Sequence, residues 1–411
     1  MTNYHKITFE NGLTLVCEHI ESVRSVSVGV WIKAGGRFEK TPETGLAHFL
    51  EHMMFKGTQK RTPLKIAQVL ESVGGNLNAF TAKETTCYFA NTLDNHLDRA
   101  IELLADMICN SVFPQKEMAK EKMVILEEIK SVKDTPEEYI FDLFQERIFP
   151  QNALGKSILG TEENIISFER QNLLDFWQFY YNPENIVISV AGHFNQQKLL
   201  NSINKYFNFH TKAQTINRYF EDTYAAEKTY FIEQPITQSH LCMGTGTRIP
   251  YHSKDRFPLL VLNTYLGGGM SSRLFQVLRE KKGLAYSVYS FTDFYYDVGV
   301  FGVYAGFDKN KLDYVRHTIE KELQLLLKEP FSAAKITRIK NQLKGNIILG
   351  LESLSRRMSR LAKNELYLGE YLSIDTLINQ IDAVTSDEVF TIARELLQPE
   401  KFINVILKPT A

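Results

Sequence analysis

The stretches NPENIVISVA at residues 182–191 and QPEKFINVIL at residues 398–407 share one construction, and this construction decides the fold. In each stretch a proline-containing turn leads into an apolar run with the length of a buried β-strand. The two copies lie near the ends of the two halves of a chain of 411 residues. We infer that the chain contains one folding unit twice.

Further markers recur in the same order when the sequence is followed back from these strands, at an offset of about 210 residues. They are a helix closed by glycine (62–74 and 271–283), a strand-rich stretch (77–92 and 286–306) and an aspartate that starts a helix (Asp94 and Asp308). Several strand signals form neighbouring, hairpin-like pairs, which favours antiparallel pairing. The prediction is an α/β (α+β) protein of two homologous domains, each a mixed, largely antiparallel sheet packed with helices.

The limits of the two domains follow from the repeat. We place the first domain at 1–212 and the second at 226–411, joined by a polar linker at 213–225.

The composition is that of a globular protein, with 44% hydrophobic and 23% charged residues, which excludes a disordered chain. Lys plus Arg number 47 and Asp plus Glu 48, so no basic excess indicates binding to nucleic acid or to an anionic membrane. No run approaches the roughly 18 apolar residues of a membrane-spanning helix, and no signal-peptide pattern is visible. The four cysteines form no CxxC pair, and we expect buried thiols in a cytoplasmic protein.

One motif carries chemistry: His48-Phe-Leu-Glu-His52, within the apolar segment GLAHFLEHMMFKG at residues 45–57. On a helix, residues four apart share a face, so His48 and His52 can bind one cation. Glu51 lies on the same half of the helix, from which it can reach a metal-bound water as a general base. The alternative is a chance pair of histidines, but unpaired polar groups on a buried helix are costly.

A third ligand is expected, because zinc commonly takes two imidazoles and a carboxylate and leaves one position for water. A helical wheel of 114–132 places Glu121 and Glu128 along one edge of the buried stripe and Glu127 away from it. One of the inward pair is then a ligand and the other its support. The alternative is a solvated charged face, because lysines are interleaved with these glutamates.

The motif has the reverse order of HExxH, which is the inverzincin signature. Together with GGNLNAFTAKETTCYF and EKMVILEEI, it resembles the pitrilysin-class metallopeptidases of family M16. That class includes insulin-degrading enzyme and the mitochondrial processing peptidase, and the chain is most similar to its single-half bacterial members. The resemblance covers essentially the whole chain.

The resemblance implies one Zn²⁺ per chain, bound by His48, His52 and the glutamate 76 residues after the second histidine, which is Glu128. It makes Glu121 the supporting carboxylate and Glu51 the general base. The implied activity is that of a zinc endopeptidase acting on extended or unfolded peptides.

The resemblance also implies a catalytic pair in the second domain, Arg279 and Tyr286, within LREKKGLAYSV. An arginine can bind a peptide carbonyl, and a tyrosine hydroxyl can donate to an oxyanion. Without the resemblance, a helix-end arginine and a half-buried strand tyrosine are the preferred interpretation. The second repeat has no metal motif, because its matching residues are Leu259, Leu262 and Asn263.

In this family the substrate adds a β-strand to an edge, here Asn78, Ala79, Phe80 and Thr81. The chain is then a half-clamshell that closes with a second half around a chamber. Because it carries both sets of residues, we expect a homodimer that shares its sites between subunits. The alternatives are a heterodimer with an inactive paralogue and a non-catalytic peptide-binding or scaffold subunit.

Overall fold

The computed structural model of the chain describes residues 3–209, 224–225, 228–328 and 330–410. It contains two compact units. The first comprises Met1–Lys130, Lys156–Tyr219 and Gly350–Tyr371, and the second comprises Ser131–Gly155, Phe220–Leu349 and Leu372–Ala411.

The first unit is built on a sheet of six strands in the order β1-β2-β6-β3-β5-β4. Only the β2–β6 pair is parallel. The strands are β1 Tyr4–Thr8, β2 Thr14–His19, β3 Ser25–Ile32, β4 Asn76–Thr81, β5 Thr86–Leu93 and β6 Ile186–Gly192.

The second unit is built on a sheet of five strands in the order β7-β11-β8-β10-β9, in which only β7–β11 is parallel. This order repeats β2-β6-β3-β5-β4 strand for strand. The predicted fold class, two similar domains with mixed and largely antiparallel sheets, is therefore confirmed. The strands are β7 Lys228–Gln234, β8 Gln238–Thr247, β9 Ala285–Phe294, β10 Gly299–Asp308 and β11 Ile403–Pro409.

Helices cover both sheets. In the first half they are α1 Leu46–Met54, α2 Pro63–Glu71, α3 Leu97–Asn110, α4 Gln115–Lys133, α5 Pro136–Ile148, α6 Glu162–Ser167, α7 Arg170–Tyr180 and α8 Gln196–Tyr206. In the second half they are α9 Arg256–Gly267, α10 Leu312–Leu325, α11 Ala333–Gly350, α12 Leu354–Leu368, α13 Ile374–Ala383 and α14 Ser386–Leu396, with a π-helical segment at Phe275–Lys281. No helix in the described ranges is long and apolar enough to cross a membrane.

The stretch that decides the fold, β6, is buried along its whole length. Ile186, Ile188 and Val190 belong to the main core of the first unit, whereas Val187 and Ala191 belong to a separate cluster under α12. Because both faces of the strand are covered, its sequence is a continuous apolar run and does not alternate with polar residues.

Two helices pack outside the half of the chain that carries them. Helix α5 covers β8 and β11 in the second unit, and α12 covers β2, β3 and β6 in the first. The compact units therefore do not follow the contiguous limits 1–212 and 226–411, because an apolar helix face does not specify which of two similar sheets it will cover. Apart from 224–225, the predicted linker at 213–225 lies outside the described residues.

The cover supplied by α12 generates a prediction about stability. Met358 on α12 lies over the fully buried Trp31, with Sδ 3.3 Å from the indole Nε1. Met358→Ala should lower the free energy of unfolding by about 2–4 kcal/mol, because it leaves a cavity in a closed core. Urea unfolding followed by tryptophan fluorescence measures this loss.

The matched control is Met123→Ala, because Met123 lies in the same unit and is 60% exposed. Its expected loss is below about 0.5 kcal/mol. Equal losses in the two variants would contradict the packing role of α12.

Candidate metal centre

Helix α1 carries the two histidines of the motif. It is buried except on the side of Glu51 and His52. The imidazole rings of His48 and His52 lie one turn apart on the same side, with centroids separated by 4.7 Å. The predicted shared face of the helix is therefore present.

Helix α4 brings Glu128 to these rings. Its Oε2 lies 3.7 Å from His48 Nε2 and 3.6 Å from His52 Nε2. Among the described residues, this is the one group of three or more His, Cys, Asp or Glu side chains whose donor atoms all lie within 4.8 Å of one another. Donor atoms about 2.0–2.2 Å from a tetrahedral zinc ion are about 3.3–3.6 Å apart, so the donor types suit zinc and the two distances lie within about 0.1 Å of that range.

Glu121, one of the two inward glutamates of the wheel, supports His52. Its Oε2 lies 3.1 Å from His52 Nδ1, and its Oε1 forms an ion pair with Lys56 Nζ at 2.7 Å. Because an ionised carboxylate only accepts hydrogen bonds, this contact favours the tautomer with the proton on Nδ1, which leaves the Nε2 lone pair directed at Glu128. Glu127, by contrast, forms a surface ion pair with Lys130, as the wheel predicts.

Lys56 was missed by the sequence reasoning. It lies four residues after His52, just beyond the end of α1. That spacing was the available signal, although a lysine near a helix end more often faces solvent.

Glu51 lies where α1 meets β4. Its Oε2 accepts a hydrogen bond from Thr81 Oγ1 at 2.5 Å. Burial raises the pKa of Glu51; the Thr81 bond and His52 act in the opposite direction, and the charge of Glu128 adds to the rise. A carboxylate with a raised pKa and one fixed hydrogen bond is suited to accepting and returning a proton.

His48 is the more buried of the two histidines. Burial, with a smaller contribution from His52, lowers its pKa to about 3, so its ring is neutral at neutral pH. Neutral imidazole is the form that binds metal ions. Its Nδ1 is buried and has no hydrogen-bond partner within the described part of the chain.

Backbone hydrogen bonds connect the end of α1 to the start of α4. The Val112 N–H donates to Gly57 O at 3.2 Å, the Gln59 N–H donates to Asn110 O at 3.1 Å, and Thr58 forms a β-bridge with Ser111. These bonds fix the segment after the histidines against the segment before the glutamates. The spacing of the three donor atoms is thus set by backbone contacts as well as by side chains.

The predicted substrate edge lies on β4, the last strand of its sheet, which pairs with β5 on one side only. Thr81 faces α1 through its bond to Glu51. Phe80 points to the other face, where its ring lies 5.5 Å from that of Trp31. Successive residues of this edge therefore lie on opposite faces of the sheet.

Arg279 and Tyr286 lie in the second unit, so they do not belong to the cluster of donor atoms in the first. Arg279 is on the π-helical segment, and its guanidinium lies 4.9 Å from the centre of the Phe275 ring. Tyr286, at the start of β9, is 62% exposed and not half-buried. In α9 the residues matching the histidine motif include Leu259 and Leu262, which are fully buried core residues.

The lowered pKa of His48 generates a prediction about pH. In the metal-free protein the unfolded chain binds a proton at the ordinary histidine pKa, whereas the folded chain binds it only near pH 3. This part of the stability is present above about pH 6.5 and is lost as the pH falls towards 3. Between pH 7 and pH 5, wild type should lose about 2 kcal/mol more than His48→Asn, measured by urea unfolding with chelator.

All other titrating groups are common to these two proteins, so each serves as the control for the other. Parallel pH profiles of the wild type and the variant would contradict a neutral, buried His48.

Comparison with known proteins supplies independent evidence. The family model described as Insulinase (Peptidase family M16) matches residues 14–162, and the model described as Peptidase M16 inactive domain matches residues 167–343. The chain is 39% identical over 405 residues to the uncharacterized zinc protease YmxG of Bacillus subtilis, covering 98% of each chain. It is 37% identical over 408 residues to the uncharacterized zinc protease SCO5738 of Streptomyces coelicolor, covering 98% of this chain and 89% of the relative.

Among solved structures, the fold matches that of a protease from Helicobacter pylori. The TM-score is 0.92 at 25% sequence identity, over 99% of this chain and 100% of the other. The family models, the relatives and this structure agree with the resemblance carried by the histidine motif. The chain belongs to peptidase family M16.

Proposed function

We propose that this protein is a zinc endopeptidase that cleaves extended or unfolded peptides. The observation that carries the proposal is that His48, His52 and Glu128 converge on one point, with Glu51 directly before His52 on the same helix. The names of the relatives, which are zinc proteases, support the same activity.

The ligands in this proposal are His48 Nε2, His52 Nε2 and Glu128 Oε2, which hold one zinc ion per chain. When bound, zinc supplies Lewis-acid activation of water and of the scissile carbonyl. The Glu128 side chain is 40% exposed, which supports an approach for substrate from its side. Glu121 holds the His52 ring in orientation, and Lys56 holds Glu121.

Glu51 is the proposed general base. Its carboxylate accepts the proton of the attacking water and then passes that proton to the leaving amine. Thr81 Oγ1 donates to Oε2 and so fixes the orientation of the carboxylate. Burial, which raises the pKa of Glu51, favours holding the proton between the two steps.

The substrate is proposed to bind as an added strand along Asn78, Ala79, Phe80 and Thr81. The free edge of β4 supports this mode, because main-chain hydrogen bonding gives affinity with little sequence preference. Such binding requires an extended segment, so folded proteins are poor substrates.

Arg279 and Tyr286 are proposed to complete the site, with the arginine binding a substrate carbonyl and the tyrosine hydroxyl donating to the oxyanion. The exposure of Tyr286 supports a role beyond packing. The proposed assembly is a homodimer that closes around a chamber and shares its sites. The four cysteines are buried free thiols, which supports the proposed cytoplasmic location.

The first test of this function uses neighbouring glutamates. Glu51→Gln should retain zinc and lose at least about 10³-fold in turnover of a quenched fluorescent peptide, because it removes the base and leaves all three ligands. Glu128→Gln should lose both zinc and activity. Metal analysis and a cleavage assay on the same samples measure the two effects.

Glu127→Gln is the matched control, because Glu127 adjoins Glu128 but pairs with Lys130 at the surface. It should keep both zinc and activity. A wild-type protein that binds peptides without chelator-sensitive cleavage would support the alternative of a peptide-binding or scaffold subunit.

A second test addresses the shared site. Glu51→Gln and Tyr286→Phe are each expected to be inactive, because one lacks the base and the other the oxyanion donor. After subunit exchange, a mixture should recover up to about a quarter of wild-type activity if each site combines residues of two subunits. Absence of recovery after proven exchange, or a monomeric mass that retains activity, contradicts sharing.

A further inference from the structure

The helix that carries the histidines has no capping side chain of its own. Gly45 precedes α1 with φ of +98°, and the first turn contains no acidic residue. Other helices of the same unit begin with a capping side chain, such as Thr62 at α2 and Asn195 at α8. The first N–H groups of α1 therefore need an acceptor from elsewhere.

A side chain at position 45 is excluded by the neighbouring backbone. A Cβ built on Gly45 would lie 2.7 Å from Leu159 O and 2.8 Å from Gly160 Cα. Gly160 is equally close in return, because its own Cβ would lie 2.3 Å from Thr44 O. The usual capping residues, Ser, Thr, Asp and Asn, are thus impossible where α1 begins.

Glu39 supplies the missing acceptor from six residues away. Its Oε2 accepts a hydrogen bond from the Gly45 N–H at 2.9 Å, and its Oε1 accepts one from the Ala47 N–H at 2.6 Å. The residue is only 6% exposed. Both carboxylate oxygens are therefore directed at the backbone immediately before His48.

Burying the Glu39 carboxylate costs desolvation free energy that an exposed capping side chain would not cost. Burial raises the pKa of Glu39 to about 8, although the bonds from Ala47 and Gly45 act in the opposite direction. The ionised form of this buried carboxyl is favoured by the N–H groups at the positive end of α1 and by the charge of Lys83, whereas the charge of Glu43 opposes it.

The segment that carries Glu39 is also fixed to the hairpin that carries Thr81. The Arg37 guanidinium forms a buried ion pair with Glu84 at 2.6 Å. The backbone N–H of Arg37 donates to the backbone oxygen of Lys83 at 2.7 Å. One short segment therefore contacts both the helix of the proposed ligands and the hairpin that orients the proposed base.

We propose that Glu39 is a positioning residue for the metal centre. Its two hydrogen bonds, from the Gly45 and Ala47 N–H groups, fix the first turn of α1 along and around the helix axis. They thereby fix the position of the His48 ring. This proposal rests on the proposed zinc function. Small displacements matter because metal–ligand distances are tolerated only to within about 0.2 Å.

The test measures zinc affinity in the metal-free full-length chain by competition with a chromophoric chelator. Glu39→Gln replaces one acceptor oxygen by an amide that faces an N–H donor, and it should weaken zinc binding about tenfold or more. Cobalt substitution provides a second readout, and the d–d absorption bands of the Co²⁺ protein should shift. Glu39→Asp, which keeps a carboxyl group but shortens the side chain by one methylene, should give an intermediate affinity.

The matched control is Asn195→Ala. Asn195 caps α8 of the same unit through the Lys198 N–H at 3.0 Å. It should reduce stability in urea as a cap deletion does, while zinc affinity stays within about twofold of wild type.

The outcomes separate the two proposals. If wild type binds zinc, and both Glu39 variants bind it equally well with unchanged cobalt spectra, the positioning role is overturned and the proposed function stands. If Asn195→Ala weakens zinc as much as Glu39→Gln, the effect is general destabilisation and the positioning role is again overturned. If wild type binds no zinc, both proposals fail.

Discussion

The mostly buried helix α1 directs two imidazoles towards a single carboxylate oxygen. Glu128 Oε2 lies 3.7 Å from His48 Nε2 and 3.6 Å from His52 Nε2. Burial keeps His48 neutral, so its ring offers a lone pair and no charge. Three acceptor-type atoms directed at one point repel one another unless a cation lies between them. The surrounding contacts keep these three atoms in place despite the repulsion. They include the contact of Glu121 with His52 and the backbone hydrogen bond from Val112 to Gly57.

Much of this arrangement follows from local sequence rules. The spacing of His48 and His52 places both on one face of a helix. The helical wheel of α4 places Glu128 on the buried side and Glu127 on the solvent side, and the structure agrees with both placements. Thr62 caps the start of α2, and its side chain accepts a hydrogen bond from the Lys65 N–H. These features depend only on helix geometry, which acts within a few residues.

Contacts between segments that are distant in the chain could not be predicted from the sequence. The sequence gives no rule that pairs Glu51 with Thr81, and the role of Glu39 depends on the approach of Gly160 to Gly45, which are far apart in the chain. The covering of each sheet by a helix from the other half is a third case, because the apolar faces of α5 and α12 suit either sheet. What sequence reasoning missed was long-range partner choice, and what it captured was periodicity.

The exchange of α5 and α12 has a consequence for how this gene product can be divided. A fragment cut between the two repeats would keep Val16, Trp31 and Val187 but lose the helix that shields them from water, leaving an apolar sheet face open to aggregation. The same fragment would carry α5 with no sheet for its own apolar side. Although the sequence consists of two similar copies in tandem, each sheet has one hydrophobic cluster that is completed by a helix from the other copy, so neither copy is an autonomous folding module.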